Sequence, residues 1–260
     1  MRRNVIFCYS GTGNCLDIAK NIARRLGNTD IIMMRSQPVE TDVRDAKRVG
    51  FIFSCMAGGL PGHVEEYVRQ VKVAADAYTF GVASCAGYMG IGLNVIDSII
   101  PLNYWSVVRH QSSAIWLMPH TMMIPPMGAD KAQALSERRA AEIADDVFYL
   151  KCKDRRPYAN PLNVLQAKKA PALLAKKAAE MTVTEACNAC GICVKLCPQE
   201  NIELKDGRAS IGLNCIGCLS CLQFCPQEAI NMGGATLRRE RYHNPNVSAH
   251  DLMQKKIHID

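Results

Sequence analysis

Two cysteine runs constrain this chain more than any other part of its sequence. Each run has the spacing C-x2-C-x2-C-x3-C-P, and the second begins 28 positions after the first. The first run contains Cys187, Cys190, Cys193 and Cys197, and the second contains Cys215, Cys218, Cys221 and Cys225. Such an internal repeat predicts a compact unit built from two related halves.

The spacing of the cysteines indicates two 4Fe–4S clusters. A cuboidal cluster needs four thiolates, and in the bacterial two-cluster pattern the fourth cysteine of each run ligates the other cluster. We therefore assign one cluster to Cys187, Cys190, Cys193 and Cys225, and the other to Cys215, Cys218, Cys221 and Cys197. Zinc is the alternative, but zinc sites usually show two C-x2-C pairs separated by a longer loop.

The rest of the composition predicts a cytoplasmic chain with functional thiols. The chain has 260 residues and 13 cysteines, and its first apolar run, Val5–Tyr9, is too short for a signal peptide. Cysteines in a chain without a leader serve metals or redox chemistry more often than disulfides. No window reaches about 18 uninterrupted apolar residues, so we expect no membrane span.

The formal net charge of +7 counts every cysteine as neutral. Two clusters with a net charge of about −2 each would bring the loaded protein to roughly +3. Residues 151–181 hold eight Lys and Arg against Asp154 and Glu180. A solvated helical connector explains this stretch, and a docking surface for an acidic partner is the alternative. Nucleic acid is not expected as a partner, because no aromatic stacking pattern interleaves with the charge.

Short β-branched runs alternate with helical patterns over the first 150 residues, which predicts an open parallel sheet covered on both faces. The predicted strands are Asn4–Tyr9, Asp30–Arg35, Val49–Ser54, Tyr78–Ser84 and Ser113–Met118. The predicted helices are Asn14–Leu26, Gly62–Val73, Ile91–Ile100, Asp130–Leu150 and a short one over Ala172–Met181.

These patterns divide the chain into four parts. We predict a sheet domain over residues 1–152, a basic helical connector over 153–181, a two-cluster domain over 182–232 and a C-terminal tail over 233–260. The tail has no strong period. Its segment Arg241-Tyr242-His243-Asn244-Pro245 is expected to pack back on one of the domains.

The first predicted strand runs into Ser10-Gly11-Thr12-Gly13-Asn14-Cys15 and then into a helix. A turn of small residues before a helix directs free N–H groups to one spot, where the helix dipole favours an anion. The loop lacks the Gly-Lys-Ser/Thr of a Walker loop and the G-x-G-x-x-G of a dinucleotide fold. It suits one terminal phosphate monoester, as on FMN. A glycine-rich turn without a ligand is the alternative.

Tyr-Ser-Gly-Thr-Gly-Asn after the first strand resembles the phosphate loop of flavodoxins. Together with the two cysteine runs, it makes nearly the whole chain similar to the fused flavodoxin–ferredoxin proteins of anaerobes. The similarity extends to Gly58-Gly59-Leu60-Pro61, Met118-Pro119 and residues 241–245. It implies an α/β fold with a flavodoxin-like five-stranded parallel sheet in the order 2-1-3-4-5, plus a small α+β ferredoxin-like domain. It also implies one FMN and two 4Fe–4S clusters.

In flavodoxin-like folds the ligand lies outside the carboxyl ends of the strands. The resemblance therefore implies three cofactor-binding loops, the first of which holds the phosphate with Ser10, Gly11, Thr12, Gly13, Asn14 and Cys15. The other two meet the flavin ring and contain Ser54, Cys55, Met56, Ala57, Gly58 and Gly59, and Ser84, Cys85, Ala86, Gly87 and Tyr88. Tyr88 either stacks on the ring or is an ordinary exposed loop tyrosine.

The chain departs from the family pattern in two places. Family members often carry an aromatic residue in the second loop, where this chain has Ser54-Cys55-Met56-Ala57. After Met118-Pro119, the usual Asn-Tyr-like pair is replaced by Thr121-Met122. Met56 or Leu60 then meets the inner face of the ring, or that face stays open. Loose packing explains the group Met56, Met89, Met118, Met122 and Met123, and a binding patch is the alternative.

The candidates for a catalytic role are Tyr88, His120 and Cys55, and Cys85 lies near them in the implied fold. A thiol or imidazole beside the ring would serve as a proton donor. Small buried thiols and a loop histidine are the simpler interpretation.

Two functions are consistent with these features. The first is electron transfer between the clusters and FMN, with a redox partner protein, in anaerobic metabolism. The second is FMN-dependent reduction of a small organic substrate, with electrons supplied by the clusters. The second predicts a pocket over one face of the ring, lined by Met56, Tyr88 and His120. The sequence indicates neither the substrate nor the oligomeric state.

Overall fold

The computed structural model describes residues 3–117, 126–158 and 160–260. It has a mixed α/β architecture around a mostly parallel sheet. The parallel strands are β1 (Asn4–Tyr9), β2 (Thr29–Met33), β3 (Arg48–Ser54), β4 (Tyr78–Cys85) and β5 (Tyr104–Arg109). Within the described residues, β10 (Lys256–Ile259) completes a six-stranded sheet in the order β10-β2-β1-β3-β4-β5.

Helices cover both faces of this sheet. On one face lie α1 (Asn14–Leu26) and α4 (Ala129–Phe148), and on the other lie α2 (Gly62–Gln70) and α3 (Gly92–Ile99). Ile18 and Ile22 are buried on the apolar side of α1. In the parts of the chain that the structure describes, none of the helices combines the length and apolar character needed to cross a bilayer.

The fifth strand differs from the prediction. Ser113–Met118 was expected to be a strand, but residues 113–117 form a loop and a turn, and Met118 lies outside the described residues. The strand is instead β5, whose residues alternate between buried and half-buried because it lies at an edge of the sheet. The apolar character of residues 113–117 has another cause, since Ile115 is fully buried in the core of the cysteine-rich unit.

The sixth strand was not predicted. β10 pairs antiparallel with β2, with Lys256 opposite Ile32 and Ile259 opposite Thr29. His258 Nδ1 lies 2.8 Å from Asp30 Oδ1, and Lys256 Nζ lies 2.9 Å from Asp30 Oδ2. The C-terminal segment therefore belongs to the edge of the first sheet.

The basic connector contains a longer helix than predicted. A helix was expected over Ala172–Met181, whereas α5 spans Pro161–Ala178. It begins early because Asn160 Oδ1 accepts a hydrogen bond from the Asn163 N–H at 2.9 Å and a proline occupies the first turn. Pro171 lies inside the helix, although proline usually breaks one.

The cysteine-rich unit consists of short elements around its own core. β6 (Met181–Val183) pairs antiparallel with β9 (Ile230–Met232), and β7 (Ile202–Lys205) pairs with β8 (Arg208–Ile211). Asp206 and Gly207 both have positive φ, as a two-residue hairpin turn requires. The α-helices of this region are α6 (Ile192–Leu196) and α7 (Ser220–Gln223), whereas α8 (Ala249–Met253) lies in the C-terminal segment and packs in the core beneath α1.

Candidate functional site: two thiol-lined cavities and a covered loop

The eight cysteines of the two runs line two cavities. One, which we call the proximal cavity, is lined by Cys197, Cys215, Cys218 and Cys221. The other, the distal cavity, is lined by Cys187, Cys190, Cys193 and Cys225. Each cavity thus brings together three cysteines of one run and the last cysteine of the other.

Each set of four cysteines surrounds a cavity. A cuboidal cluster requires its ligands around it in this way. The residues present therefore fit 4Fe–4S clusters.

The backbone repeats around the two cavities. Left-handed φ angles occur in pairs that are 28 positions apart, at Ala189 and Gly217, Gly191 and Leu219, and Glu200 and Glu228. The N–H groups that follow two of these residues donate to sulfur, and one of them is the Ser220 N–H, which follows Leu219 and donates to Cys218. The Asn201 N–H, which follows Glu200, lies 3.4 Å from Cys197 Sγ. Hydrogen bonds of this kind stabilise a thiolate and raise the potential of a cluster.

Burial acts strongly on two thiols of the proximal set. Burial raises the pKa of Cys218 to about 12, against the opposing effect of the Ser220 N–H. Burial also raises the pKa of Cys221 well above its ordinary value. Both thiols hold their protons at neutral pH, so iron binding must displace these protons.

The proximal cavity lies directly against the first β-strand and the loop that follows it. A Cβ placed on Gly11 would lie 2.7 Å from the backbone oxygen of Cys218. The Ser220 hydroxyl donates a hydrogen bond to the Gly11 carbonyl. Tyr9 is buried next to Cys218, and burial raises the pKa of its phenol well above the usual value. The predicted phosphate loop therefore contacts the backbone of one cavity.

The predicted phosphate loop, residues 10–15, is covered by the rest of the chain. Its described side chains are exposed by 9% or less, and Gly11 and Gly13 are buried. The Asn244 N–H donates to the Thr12 carbonyl at 2.8 Å. A Cβ on Gly13 would lie 2.9 Å from the Val247 Cβ. The loop thus lies beneath the C-terminal segment.

A buried polar network joins this segment to the start of α1. The Tyr242 hydroxyl lies 2.9 Å from Asn14 Oδ1 and 3.0 Å from His110 Nδ1. The Asn244 amide lies 3.3 Å from both Asn14 Oδ1 and His110 Nε2. Burial lowers the pKa of His110 to about 4, against the opposing effect of Asp17. His110 is therefore neutral at pH 7.

The sequence predicts that residues 241–245 pack on one of the domains, but it does not predict that they cover the loop of residues 10–15. His110 and Asp17 were not predicted at all. In the sequence, only the resemblance of residues 241–245 to the fused family points to their contact with Thr12.

The second and third predicted loops contact each other at the carboxyl ends of β3 and β4. The Cys55 N–H donates to the Ser84 carbonyl at 2.8 Å, and the Ile91 N–H donates to the Gly58 carbonyl at 3.0 Å. Gly58 has φ of 85°. A Cβ on Gly90 would lie 2.0 Å from the Gly58 oxygen, so only glycine fits there. The half-buried residues of these loops are Ser54, Cys55, Met56, Ala57, Ala86 and Gly87.

The candidates for a catalytic role differ in their exposure to solvent. Tyr88 is 44% exposed, and its hydroxyl lies near Gly58 and Gln166 of α5. Burial raises the pKa of Cys55 to about 11 and that of Cys85 to about 12, so both are neutral thiols. His120 lies outside the described residues, as do Met118-Pro119, Thr121-Met122 and Met123.

Two of the five methionines that were grouped together can be described. Met56 Sδ lies 3.4 Å from the Tyr9 hydroxyl, and both Met56 and Met89 pack against the core beneath α2 and α3. Their packing agrees with the simpler interpretation of these side chains.

The donor set of the first loop fits a phosphate. It combines the hydroxyls of Ser10 and Thr12 with N–H groups at the N-terminus of α1, where the helix dipole favours an anion. The residues present therefore fit the phosphate of FMN, and the loops after β3 and β4, parts of which are half-buried, would border its ring.

Comparison with known proteins supports the iron–sulfur part. Residues 186–230 match the family model of the 4Fe-4S dicluster domain, so this part of the chain is an iron–sulfur domain. No curated protein matches the chain.

Solved structures that resemble the chain do so at low sequence identity and low TM-score. They include an FMN-dependent NADH-azoreductase from Bacillus anthracis, with 8% identity over 56% of this chain and 99% of that one, at a TM-score of 0.38. A second is an NAD(P)H:quinone oxidoreductase from Methanothermobacter marburgensis, with 8% identity over 62% of this chain and 100% of that one, also at 0.38. Similarity at this level assigns neither a ligand nor a reaction to the chain.

Proposed function

We propose that this chain transfers electrons between two 4Fe–4S clusters and one FMN in the cytoplasm of an anaerobic cell. The observation that carries the proposal is the contact between Cys218 of the proximal cavity and Gly11 of the phosphate loop. A cluster in that cavity would lie beside the cofactor of the sheet. The distal cavity, which is lined by residues of the iron–sulfur domain, would hold the second cluster.

Helix α5 links the same two regions from the other side. A Cβ on Gly217, beside Cys218, would lie 3.7 Å from the Leu174 backbone oxygen. About two turns before Leu174 on α5, Ala167 packs on Gly59 of the second loop. The proximal cavity and the ring loops are thus held by one helix, which supports a fixed geometry for electron transfer.

The residues that would hold FMN are those of the three loops. Ser10, Thr12 and the N–H groups of the loop would bind the phosphate, except the Gly13 N–H, which donates to Ser10 Oγ at 3.1 Å. The loops after β3 and β4 would border the ring. When bound, FMN supplies a carrier that accepts one or two electrons, whereas each cluster carries one. The chain's own contribution is to place the carriers beside each other and to exclude water from the phosphate.

A basic, partly apolar face of α5 supports an acidic redox partner. Leu162, Leu165 and Leu173 are exposed by 45% or more. Lys168, Lys169 and Lys176 are exposed on the same helix. A partner with a negative surface would be attracted to this face and would dock near the proximal cavity. Electron transfer from such a partner should slow as salt concentration rises.

A second candidate function is the reduction of a small organic substrate at FMN. The observation that favours it is the openness of the ring loops, where Tyr88 is 44% exposed and Met56 and Ala57 are half-buried. A substrate would reach the ring from this side without displacing the C-terminal segment. Tyr88 would then line its path.

Anaerobic purification followed by analysis of iron, sulfide and flavin tests the first proposal. We expect about eight irons and one FMN for each chain. Stopped-flow reoxidation of the reduced protein then separates the two functions. An acidic ferredoxin should reoxidise it rapidly if it is an electron carrier, whereas a small quinone or azo compound should do so in the absence of a partner if it is a reductase. Protein without flavin, or with zinc in place of iron, would contradict the proposal.

A further inference from the structure

Two arginines from outside the iron–sulfur domain, both with largely buried side chains, each contact a residue that lines one of the two cavities. Arg35 follows strand β2 in the sheet domain, and Arg241 lies in the C-terminal segment. Neither belongs to residues 186–230, which match the dicluster family. Arg35 contacts Cys197 of the proximal cavity, and Arg241 contacts Ile230 of the distal cavity.

Arg35 lies at Cys197 of the proximal set. It is 6% exposed, and its guanidinium donates to the carbonyls of Lys195, Cys197 and Leu252 at 3.0, 3.2 and 3.0 Å. All three acceptors are uncharged. Burial lowers the pKa of Arg35, while Glu200, Cys197 and Cys218 oppose that effect. The two cysteines named there both line the proximal cavity.

Arg241 lies beside the distal cavity, where its Nη2 donates to the carbonyl of the lining residue Ile230 at 3.2 Å. Its side chain is 9% exposed, and its Nη2 donates to Asn231 Oδ1 at 2.8 Å. Its Nε and Nη1 are buried without a hydrogen-bond partner among the described residues. Glu228 Oε2 is 4.0 Å from Nε on a side chain that is 63% exposed. Burial lowers the pKa of Arg241, while Glu228 and Cys225 oppose that effect.

A buried guanidinium whose acceptors are neutral is costly unless a negative charge lies close to it. A cluster with four thiolates carries a charge of about −2 when oxidised, and its reduction adds one more electron. A fixed positive charge nearby stabilises the reduced form more than the oxidised form. Its effect on the potential is therefore upward.

We propose that Arg35 and Arg241 are the counter-charges of the proximal and distal clusters, respectively, and that each raises the reduction potential of its own cluster. The proposal rests on the proposed function, because it requires both clusters. It assigns the two residues a positioning and tuning role in electron transfer. The sheet domain and the C-terminal segment would thereby set the potentials of a domain to which neither belongs.

The test uses the full-length protein purified without oxygen. Redox titrations followed by EPR are compared for wild type, Arg35→Gln and Arg241→Gln, with Arg35→Lys and Arg241→Lys as variants that keep the charge. Arg208→Gln is the control, since Arg208 is in the same domain but is exposed and paired with Glu185. Iron and sulfide are measured for each sample.

Each glutamine variant should shift one of the two cluster components to a more negative potential and leave the other unchanged. At a fixed potential, the ratio of reduced to oxidised cluster should fall about tenfold, which corresponds to about 59 mV for one electron. The lysine variants and Arg208→Gln should remain near wild type. A glutamine variant that loses iron while its lysine counterpart keeps it would also support the requirement for charge.

Unchanged potentials in loaded glutamine variants would overturn the proposal. Equal shifts in the glutamine and lysine variants, or loss of iron in both, would overturn it too, because the arginine would then serve the backbone and not the charge of the cluster. Wild-type protein without iron and sulfide would instead remove the proposed function itself, and the two failures are thus distinguishable.

Discussion

The backbone oxygen of Cys218 lies so close to the α-carbon of Gly11 that an added Cβ would be 2.7 Å from it. This contact joins the cavity lined by the second cysteine run to the loop after β1. It leaves no space for any side chain at position 11.

Gly11→Ala should therefore weaken the packing of the iron–sulfur domain on the sheet. Overpacking of this kind costs about 1–3 kcal/mol, and here the obstructing atom belongs to the backbone. The free energy of unfolding in urea measures the effect. Gly62→Ala is the matched control, since nothing lies within 4 Å of its added Cβ. Equal stability of the two variants would show that the contact is not tight.

The crossed assignment of cysteines makes a prediction about pairs of substitutions. Cys197→Ala should remove the proximal cluster, so that iron falls from about eight to about four atoms for each chain. Adding Cys215→Ala should remove no further iron, because both residues line one cavity. Adding Cys187→Ala should remove nearly all of it. Cys152→Ala, at an exposed thiol, should leave the iron content unchanged.

Iron loss in the pair Cys197→Ala and Cys215→Ala equal to that in the pair Cys197→Ala and Cys187→Ala would contradict this assignment. The clusters would then not be separable by cavity.

Flavin retention tests the covered loop. Ser10→Ala combined with Thr12→Ala removes two hydroxyl groups from the predicted phosphate site. We expect FMN to be lost at least tenfold more readily on dialysis, because each hydrogen bond to a charged group contributes about 1.5–3 kcal/mol. Iron content should not change. Ser98→Ala, at an exposed serine of α3, is the control. If dialysis removes no more FMN from the double variant than from wild type, the phosphate lies elsewhere.

His110 gives the fold a dependence on pH. Its pKa is lowered to about 4 by burial, below an ordinary value of 6.5. The unfolded chain thus binds a proton that the folded chain does not, and stability falls as the pH falls from 6.5 toward 4. Between pH 7.5 and pH 5 this residue should account for a loss of about 2 kcal/mol.

Urea denaturation of wild type and His110→Gln at the two pH values measures this difference. The variant should lose about 2 kcal/mol less than wild type over the same interval. His250→Gln, at an exposed histidine of α8, should follow wild type. Identical pH profiles for wild type and His110→Gln would show that His110 is not responsible.

Local sequence patterns predicted the elements that bury one complete face. α1 has the predicted bounds, because its apolar residues repeat at the period of a helix and Gly27, at φ of 62°, ends it. The cysteine sets also come together as their spacing implies. The information for α1 lies within a few consecutive turns of chain, whereas each cysteine set combines residues of both runs.

Elements that depend on distant partners were not predictable in the same way. β5 carries Tyr104, Trp105, Val107 and Val108, but the later run around Ile115 is apolar too, because Ile115 packs in another domain, and the local pattern does not distinguish the two. β10 has only four residues, and its pairing with β2 depends on a strand at the opposite end of the sequence. The cover over Thr12 by Asn244 is likewise a contact between remote residues without a pattern of its own.

During synthesis, β2 leaves the ribosome long before β10, the strand with which it pairs. His258 and Asp30, which meet there, are 228 positions apart. Until β10 arrives, the edge of β2 presents unpaired backbone groups that can recruit another chain. The eight cysteines of the two runs leave the ribosome before β10. Residues 241–243 of the segment that leads to β10 pack on the iron–sulfur domain. Iron starvation should therefore produce aggregated protein in the cell and not merely colourless protein.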